Sequence, residues 1–324
     1  MEKILLTQAL VSICMPAYNA AQYILHAIDS VLSQSYQHFE LVIVNDGSTD
    51  ETKSLLDNLN DSRIKIIHTE NRGQCAAANL AFRHSTGSLI KFMDADDLLS
   101  KDFIELQVKK LAGKTNQIIG ASWKRFYKNI NDSQPIIRNS VDESKPIDWL
   151  VLSMSGKQVM LQCALWLIPR QILEDSGLWD ETLSLINDFE FFIRVILHAD
   201  SISFVDDAIV YYRSGVEKSL SSIKSYEAAK SAFSSIEKGT NNLLKFESSN
   251  RVRQVAADSF QNFVFDFYPH FPALISTAED KVSALGGTKI TFPSGGATKF
   301  VVGILGWKLT KRIKKILMKN NGAL

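Results

Sequence analysis

Cysteine is nearly missing from this 324-residue chain: there are three, Cys14, Cys75 and Cys163, far apart and odd in number. No CxxC pair or Cys/His cluster accompanies them, which excludes a structural zinc site and fits a reducing compartment. Long apolar runs are missing too, since none approaches the roughly 20 residues of a membrane span. The opening MEKILLTQALVSICMP lacks the basic region, long apolar core and small-residue cleavage site of a secretion signal. The expectation is a cytoplasmic protein. No GxGxxG follows a strand pattern, which argues against a dinucleotide-dependent oxidoreductase. Apolar residues are not scarce: 45% of the chain is hydrophobic and 22% charged, an ordinary globular composition for one large domain with or without an appendage.

Acidic residues are missing from 281 onward, where nine Lys/Arg stand. Against a whole-chain charge of +1, residues 1–280 carry −8, so the tail is suited to an anionic partner. Projected at about 100° per residue, Val302, Leu305, Leu309, Ile313, Ile316 and Leu317 fall in one arc and Lys308, Lys311, Arg312, Lys315 and Lys319 in the next. Such a basic amphipathic helix, over residues 300–319, suits the anionic surface of a membrane. Docking of the same apolar arc on the protein body, with a solvated lysine face, fits equally. Nucleic acid is not expected as a partner, for no aromatic-interleaved or helix-turn-helix pattern accompanies the basic stretch.

In the first hundred residues, two periodicities alternate. VSICM, ELVIV, RIKII and SLIKFM are short and rich in β-branched residues, and read as strands. Ile24, Ile28, Val31 and Leu32 predict a helix by their spacing, as do Leu55, Leu56 and Leu59 behind a Ser48-x-x-Glu51 capping box, and a third runs through CAAANLAF. Strand and helix in alternation predict βαβ units and a mostly parallel, doubly wound α/β sheet flanked by helices. Ligands of such sheets bind beyond the carboxyl ends of the strands.

Those ends read PAYN (16–19), NDGSTD (45–50), ENRG (70–73, after the third strand) and DADD (94–97). Asp46 and Gly47 alone also fit a simple turn. In DADD, Asp96 or Asp97 also fits a cap for the helix beginning near Asp102 or Phe103. Close carboxylates at a strand end are tolerated when solvated, when capping a helix, or when neutralised by a bound cation. Oxygen ligands at i and i+2 suit Mg²⁺ or Mn²⁺, hard ions that bridge the phosphates of a substrate.

The series VSICMPAYN, ELVIVNDGSTDET, IIHTENRGQCAAAN, GSLIKFMDADDLL and GLWDETLSLINDFEFFIRV resembles the family 2 glycosyltransferases, inverting enzymes of the GT-A fold that include bacterial cell-surface glycan transferases. The resemblance spans about residues 10–215. It implies a nucleotide-diphospho-sugar donor, usually UDP-linked, held with Mg²⁺ or Mn²⁺, and transfer of its sugar to a hydroxyl of a glycan or lipid-linked saccharide. Carried over by residue, Pro16, Ala17 and Tyr18 line the nucleotide pocket, Asp46 accepts a hydrogen bond from the base, and Arg72 and Gly73 lie near base and ribose. Asp96 is the direct metal ligand, with Asp94 nearer the ribose and diphosphate, and Asp97 supports or caps. The domains implied are a GT-A nucleotide-sugar-binding and catalytic domain over 1–222 and a helical extension over 223–324. With no secretion signal and a basic amphipathic helix at 300–319, the setting expected is the cytoplasm, with peripheral contact at the inner face of the membrane.

Inverting transfer also needs a carboxylate base. Phe189, Phe192, Ile193, Ile196 and Leu197 mark a helix whose N-terminus holds Asp188, where an Asp also fits a plain N-cap. The resemblance makes Asp188 the base, although the residue before it is Asn187 where the family pattern has Glu. Asn187 is left an acceptor-contact or capping role. Ala78 departs again, standing where many relatives carry Arg. Arg213 matches a basic residue near the donor diphosphate and fits a surface cation equally, while Gly215 replaces a frequent His. The resemblance places an acceptor-side strand at MLQCALWLIPR (160–170), where Trp166 fits either a sugar-stacking platform or the core, and the same holds for Trp123 and Trp179. Two further function classes remain: a non-catalytic sugar-nucleotide or glycan-binding relative, and a nucleotidyltransferase, for which PAYN lacks the Gly-rich basic loop.

Overall fold

The computed structural model describes residues 9–137, 143–155, 160–216 and 225–320. Strands β1 (Val11–Ala17), β2 (Phe39–Asp46), β3 (Ile64–Thr69) and β4 (Leu89–Phe92) alternate with helices α1 (Ile24–Leu32), α2 (Thr52–Asp57) and α3 (Gln74–Arg83). They assemble in the order β3-β2-β1-β4, all parallel, and a short antiparallel strand β7 (Ile168–Pro169) closes the sheet beside β4. In β1 and β2, Val11, Ile13, Met15 and Leu41 to Val44 are fully buried, because helices cover both faces of a parallel sheet. Edge strand β3 has no fully buried residue: Ile64, Ile66, Ile67 and Thr69 are half-buried and Lys65 and His68 exposed. The expected doubly wound, mostly parallel architecture is present.

A second sheet, in the order β5-β8-β6, joins β5 (Leu98–Leu99), β8 (Ser201–Arg213) and β6 (Gln117–Phe126). Strand β6 runs parallel to β8, while β5 runs against it with Leu98 opposite Tyr211 and Leu99 opposite Val210. That pairing draws the acidic turn before Leu98 to the end of β8. Helices α4 (Phe103–Leu111), α5 (Pro146–Met154), α6 (Arg170–Ser176) and α7 (Asn187–Leu197) complete this part of the chain.

Beyond it lie α8 (Tyr226–Phe246), α9 (Asn250–Phe267), α10 (Pro272–Ala284), α11 (Gly296–Leu305) and α12 (Trp307–Asn320). Phe233, Phe260, Phe263 and Val264 form a second core, while Leu243, Val252 and Val255 join the main one. The expected domain boundary at residue 222 lies outside the described residues. Among these, no helix is long and apolar enough to cross a membrane.

Two local expectations fail for physical reasons. The Ser48–Glu51 capping box does not form: α2 starts at Thr52, and the Ser48 hydroxyl instead accepts the Asn19 N–H at 3.0 Å. The segment 160–170 is not a strand throughout, since only Ile168 and Pro169 join a ladder and Cys163–Leu165 form a 3₁₀ turn. Side chains satisfy its backbone instead. Lys91 Nζ donates to Ala164 O at 2.6 Å and Trp166 O at 3.1 Å, and Gln107 Nε2 donates to Leu165 O at 2.8 Å. Lys91 is fully buried over the Phe103 ring, and burial pushes its amine well below the ordinary lysine range.

Candidate active site

The first wall of the site is a pair of loops at the ends of β1 and β2. Pro16 and buried Ala17 end β1, and exposed Tyr18 follows. At the end of β2, Gly47 takes a φ of +69°, and a Cβ there would lie 2.5 Å from the Asn71 nitrogen, so the turn requires glycine. That close approach lets buried Asp46 reach the ENRG loop, where its Oδ1 accepts the Arg72 N–H and its Oδ2 the Gly73 N–H, both at 2.8 Å. Asp46 is thus more than a turn residue. Each of its oxygens keeps a second lone pair for a ligand. Asn19 Oδ1 accepts the Thr49 N–H at 2.8 Å, which fastens PAYN to NDGST.

Beneath these loops lies the acidic turn. Asp94, Asp96 and Asp97 each offer a carboxylate oxygen, and the three lie within 4.8 Å of one another. Their surroundings separate them. Asp97 is buried, with Oδ1 accepting the Arg213 N–H at 2.8 Å and Oδ2 bonded to Gln162 Nε2. It caps no helix, for Asp102 occupies the N-cap of α4. Half-buried Asp94 accepts Gln74 Nε2 at 2.8 Å and is bonded to the Cys163 thiol. Asp96, also half-buried, has among the described residues only its own backbone N–H as a partner.

Crowding and burial raise all three. Burial, and after it the charge of Asp94, pushes the Asp96 carboxyl up to about 7. Burial also lifts Asp94, and lifts Asp97 well above the carboxylate range. Three such groups are costly as anions, and a divalent cation among their oxygens would relieve the repulsion. The all-oxygen donor set, with Asp96 unencumbered, fits Mg²⁺ or Mn²⁺.

Of the two readings of Arg213, burial removes the surface one. Arg213 is a buried scaffold residue: Nε donates to Asp96 O at 2.8 Å, and the guanidinium lies between the rings of Tyr23 at 4.6 Å and Phe126 at 4.4 Å. The β5–β8 pairing puts it there. Its charge opposes the rise of the Asp96 and Asp97 carboxyls.

The opposite wall is the start of α7. Its N-cap is Ile186, in the left-handed region at φ +59°, a costly conformation for a β-branched residue, so Asp188 belongs to the first turn and is not the cap. The C-terminal helices hold this conformation. From α8, Ser235 Oγ donates to Ile186 O at 2.6 Å, and Ser231 Oγ accepts the N–H groups of Ser184 and Leu185 at 2.7 and 3.1 Å. Asn187 Oδ1 accepts the Asp188 N–H at 2.9 Å, and its Nδ2 donates to Gln74 Oε1 at 3.3 Å and Cys75 Sγ at 3.1 Å. Asn187 is therefore a buried brace, which corrects the expected acceptor contact. Burial first, and the facing charge of Asp94 second, raise the half-buried Asp188 carboxyl well above its ordinary range.

Trp166 is also corrected. It is 0% exposed, edge-on to Trp149 at 5.5 Å and tilted against Phe192 at 5.7 Å, so no face is open to a sugar. Trp123 and Trp179 are buried as well. Ala78, in place of the Arg of many relatives, lines a small pocket with Asp94, Pro16, Cys75, Cys163 and Trp179.

The sequence reading missed Gln74, Cys163, Ser231, Ser235 and Tyr212. Gln74 directly follows ENRG, so a wider motif would have included it. The serines and Cys163 stand in no motif. Tyr212 lies amid the acids, its hydroxyl raised by burial and then by the charges of Asp97, Asp94, Asp96 and Asp188.

Residues 12–177, half of the chain, match the model of glycosyl transferase family 2. The chain belongs to that family. An uncharacterized glycosyltransferase of Haemophilus influenzae is 34% identical over 159 residues, covering 48% of this chain and 61% of the relative. One from Rickettsia felis is 42% identical over 110 residues, 34% of this chain and only 18% of that longer relative. Among solved structures, Staphylococcus aureus TarS residues 1–349 in complex with UDP-GlcNAc superposes with a TM-score of 0.62, covering 86% of this chain and 89% of that one. At 16% identity the likeness is one of fold, and it bears out the GT-A architecture.

Proposed function

We propose that this chain is an inverting, metal-dependent glycosyltransferase that moves a sugar from a nucleotide-diphospho-sugar, with UDP as the favoured nucleotide, to a hydroxyl of a glycan or lipid-linked saccharide. One observation carries the reading: Gln74 hydrogen-bonds both Asp94 of the acidic turn and Asn187, the residue before Asp188, and the charge of Asp94 acts on the Asp188 carboxyl. Family membership and the fold shared with TarS, which was solved with UDP-GlcNAc and with UDP, support the donor class.

In this reading, Pro16, Ala17 and Tyr18 line the nucleotide pocket, Asp46 receives the base, and the Arg72–Gly73 loop that Asp46 orders closes over the ribose. Asp96 and Asp94 would hold Mg²⁺ or Mn²⁺. The cation's contribution is to neutralise charge on the diphosphate. Asp188 takes the proton of the acceptor hydroxyl while that oxygen bonds the anomeric carbon, and the bond from that carbon to the diphosphate oxygen breaks on the opposite face. A carboxyl raised by burial and by Asp94 is a stronger base than a solvated one. Such an enzyme works in the cytoplasm at the inner face of the membrane, where lipid-linked acceptors lie.

Thermal stabilisation by UDP, GDP, CDP, dTDP and NAD, each with and without Mn²⁺, tests the donor assignment. A ligand at 100 times its dissociation constant adds roughly 2.7 kcal/mol. Stabilisation by one nucleoside diphosphate that requires the cation is expected. Silence from every diphosphate, or stabilisation by NAD alone, would overturn the assignment.

A further inference from the structure

The amphipathic C-terminal segment has two candidate seats, the protein body or a lipid surface, and the contacts of α11 and α12 separate them. Helix α12 meets the body through Trp307, stacked on Phe292 at 5.6 Å and edge-on to Phe265 at 5.0 Å, and through buried Thr310. Lys308 pairs with Glu279 at 2.6 Å, and Arg312 lies 5.5 Å over the Tyr268 ring. The helix therefore docks by an aromatic and cationic side, not by its aliphatic arc.

That arc is left outward. Leu309, Ile313 and Ile316 are exposed on α12, and α11 adds Phe300, Ile304 and Leu305, with Phe300 at 73% and Ile304 at 66%. Of fourteen exposed large apolar side chains among the described residues, seven fall between 300 and 316. Scattered exposed apolar residues need no explanation, whereas a concentration of them marks a surface that meets a partner. The same segment carries exposed Lys299, Lys314 and Lys315, of which Lys314 donates to Thr298 Oγ1 at 3.0 Å and Lys315 lies 3.5 Å from His270 Nδ1, and no acidic residue occurs from 281 to the end.

We infer that α11 and α12 form a membrane-docking surface, which lays this apolar row into an anionic phospholipid leaflet while the lysines meet its headgroups. Charge chooses the occupant. A second copy would set one +9 segment against another, and a nucleic acid has no use for Phe300, Ile304 and Ile316. An anionic leaflet satisfies both the apolar row and the positive charge of the segment that carries it. The inference rests on these helices alone, so it stands or falls apart from the sugar-transfer reading.

The test is co-sedimentation of the purified full-length protein with vesicles of phosphatidylcholine alone, or of equal parts phosphatidylcholine and phosphatidylglycerol. Binding to the mixed vesicles only, weakened by added salt, is expected. The triple variant Phe300→Ser, Ile304→Ser, Ile316→Ser removes exposed groups, so its melting temperature should match the parent. Its vesicle partitioning should fall at least about tenfold, because each side chain withdrawn from water contributes to insertion. Lys314→Gln with Lys315→Gln should weaken binding while leaving the fold intact. Absence of binding to both vesicles, or undiminished binding by the triple variant, would overturn the inference. A dimer in solution that the triple variant abolishes would also overturn it, reassigning the row to self-contact.

Discussion

Gln74 Nε2 donates to Asp94 Oδ1 at 2.8 Å, and the same amide accepts from Asn187, the residue that precedes Asp188. One side chain thus spaces the acid turn from the helix that carries the proposed base. Gln74→Ala removes that spacer without creating a buried charge. A hydrogen bond to a charged group is worth about 1.5–3 kcal/mol, so kcat should fall roughly ten- to a hundredfold. Donor affinity should change little, as steady-state kinetics beside a binding titration would show.

The acid turn should register in stability against pH. The folded protein holds the Asp96 carboxyl protonated up to about 7, whereas the unfolded chain ionises it near 4. Between those values the folded state binds more protons, so stability falls as pH rises through the window and levels above it. The upward shifts of Asp94, Asp97 and Asp188 add in the same direction. Melting temperatures should therefore drop from pH 4 towards pH 7 without added metal, and Mn²⁺ should restore more at pH 8 than at pH 5. Asp96→Asn should flatten both trends.

Asp46 should act through the loop it holds. Asp46→Ala leaves the Arg72 and Gly73 N–H groups without their acceptor, at a cost of about 1–3 kcal/mol. Donor KM should rise at least about tenfold, with a smaller effect on kcat. An unchanged donor KM would place the nucleotide elsewhere.

Trp166 distinguishes core from platform. Trp166→Ala should destabilise the protein by about 3–5 kcal/mol, as an emptied aromatic site in a packed core does. Acceptor KM of the remaining folded enzyme should be unchanged. A variant of full stability with a raised acceptor KM would contradict the buried placement.

The sheet was legible because apolar runs such as ELVIV and the spacing of Ile24, Ile28 and Val31 are local signals of burial. DADD, NDG and ENRG were legible because turn chemistry at strand ends is local as well. What was hidden depends on contacts distant in sequence. Arg213 fitted a diphosphate contact and a surface cation equally, and only the pairing of Leu98 with Tyr211 shows why it is buried, with its Nε on the Asp96 carbonyl. Ser235 supports Ile186 across 49 positions, with no periodicity to announce it. Trp166 could not be assigned from its neighbours, because Trp149 and Phe204, which enclose it, belong to other elements. The direction of the C-terminal apolar arc was undecided for the same reason: a helix projection orders side chains around an axis but does not say which side meets the body.

The most direct test of the account is sugar transfer by Asp188→Asn, measured beside its affinity for UDP in the presence of Mn²⁺. Loss of a positioned base predicts a fall in kcat of about 10²–10⁴-fold with nucleotide affinity kept within about twofold. Transfer at the parent rate would contradict Asp188 as the base, and with it the central claim that the two walls of this cleft work together.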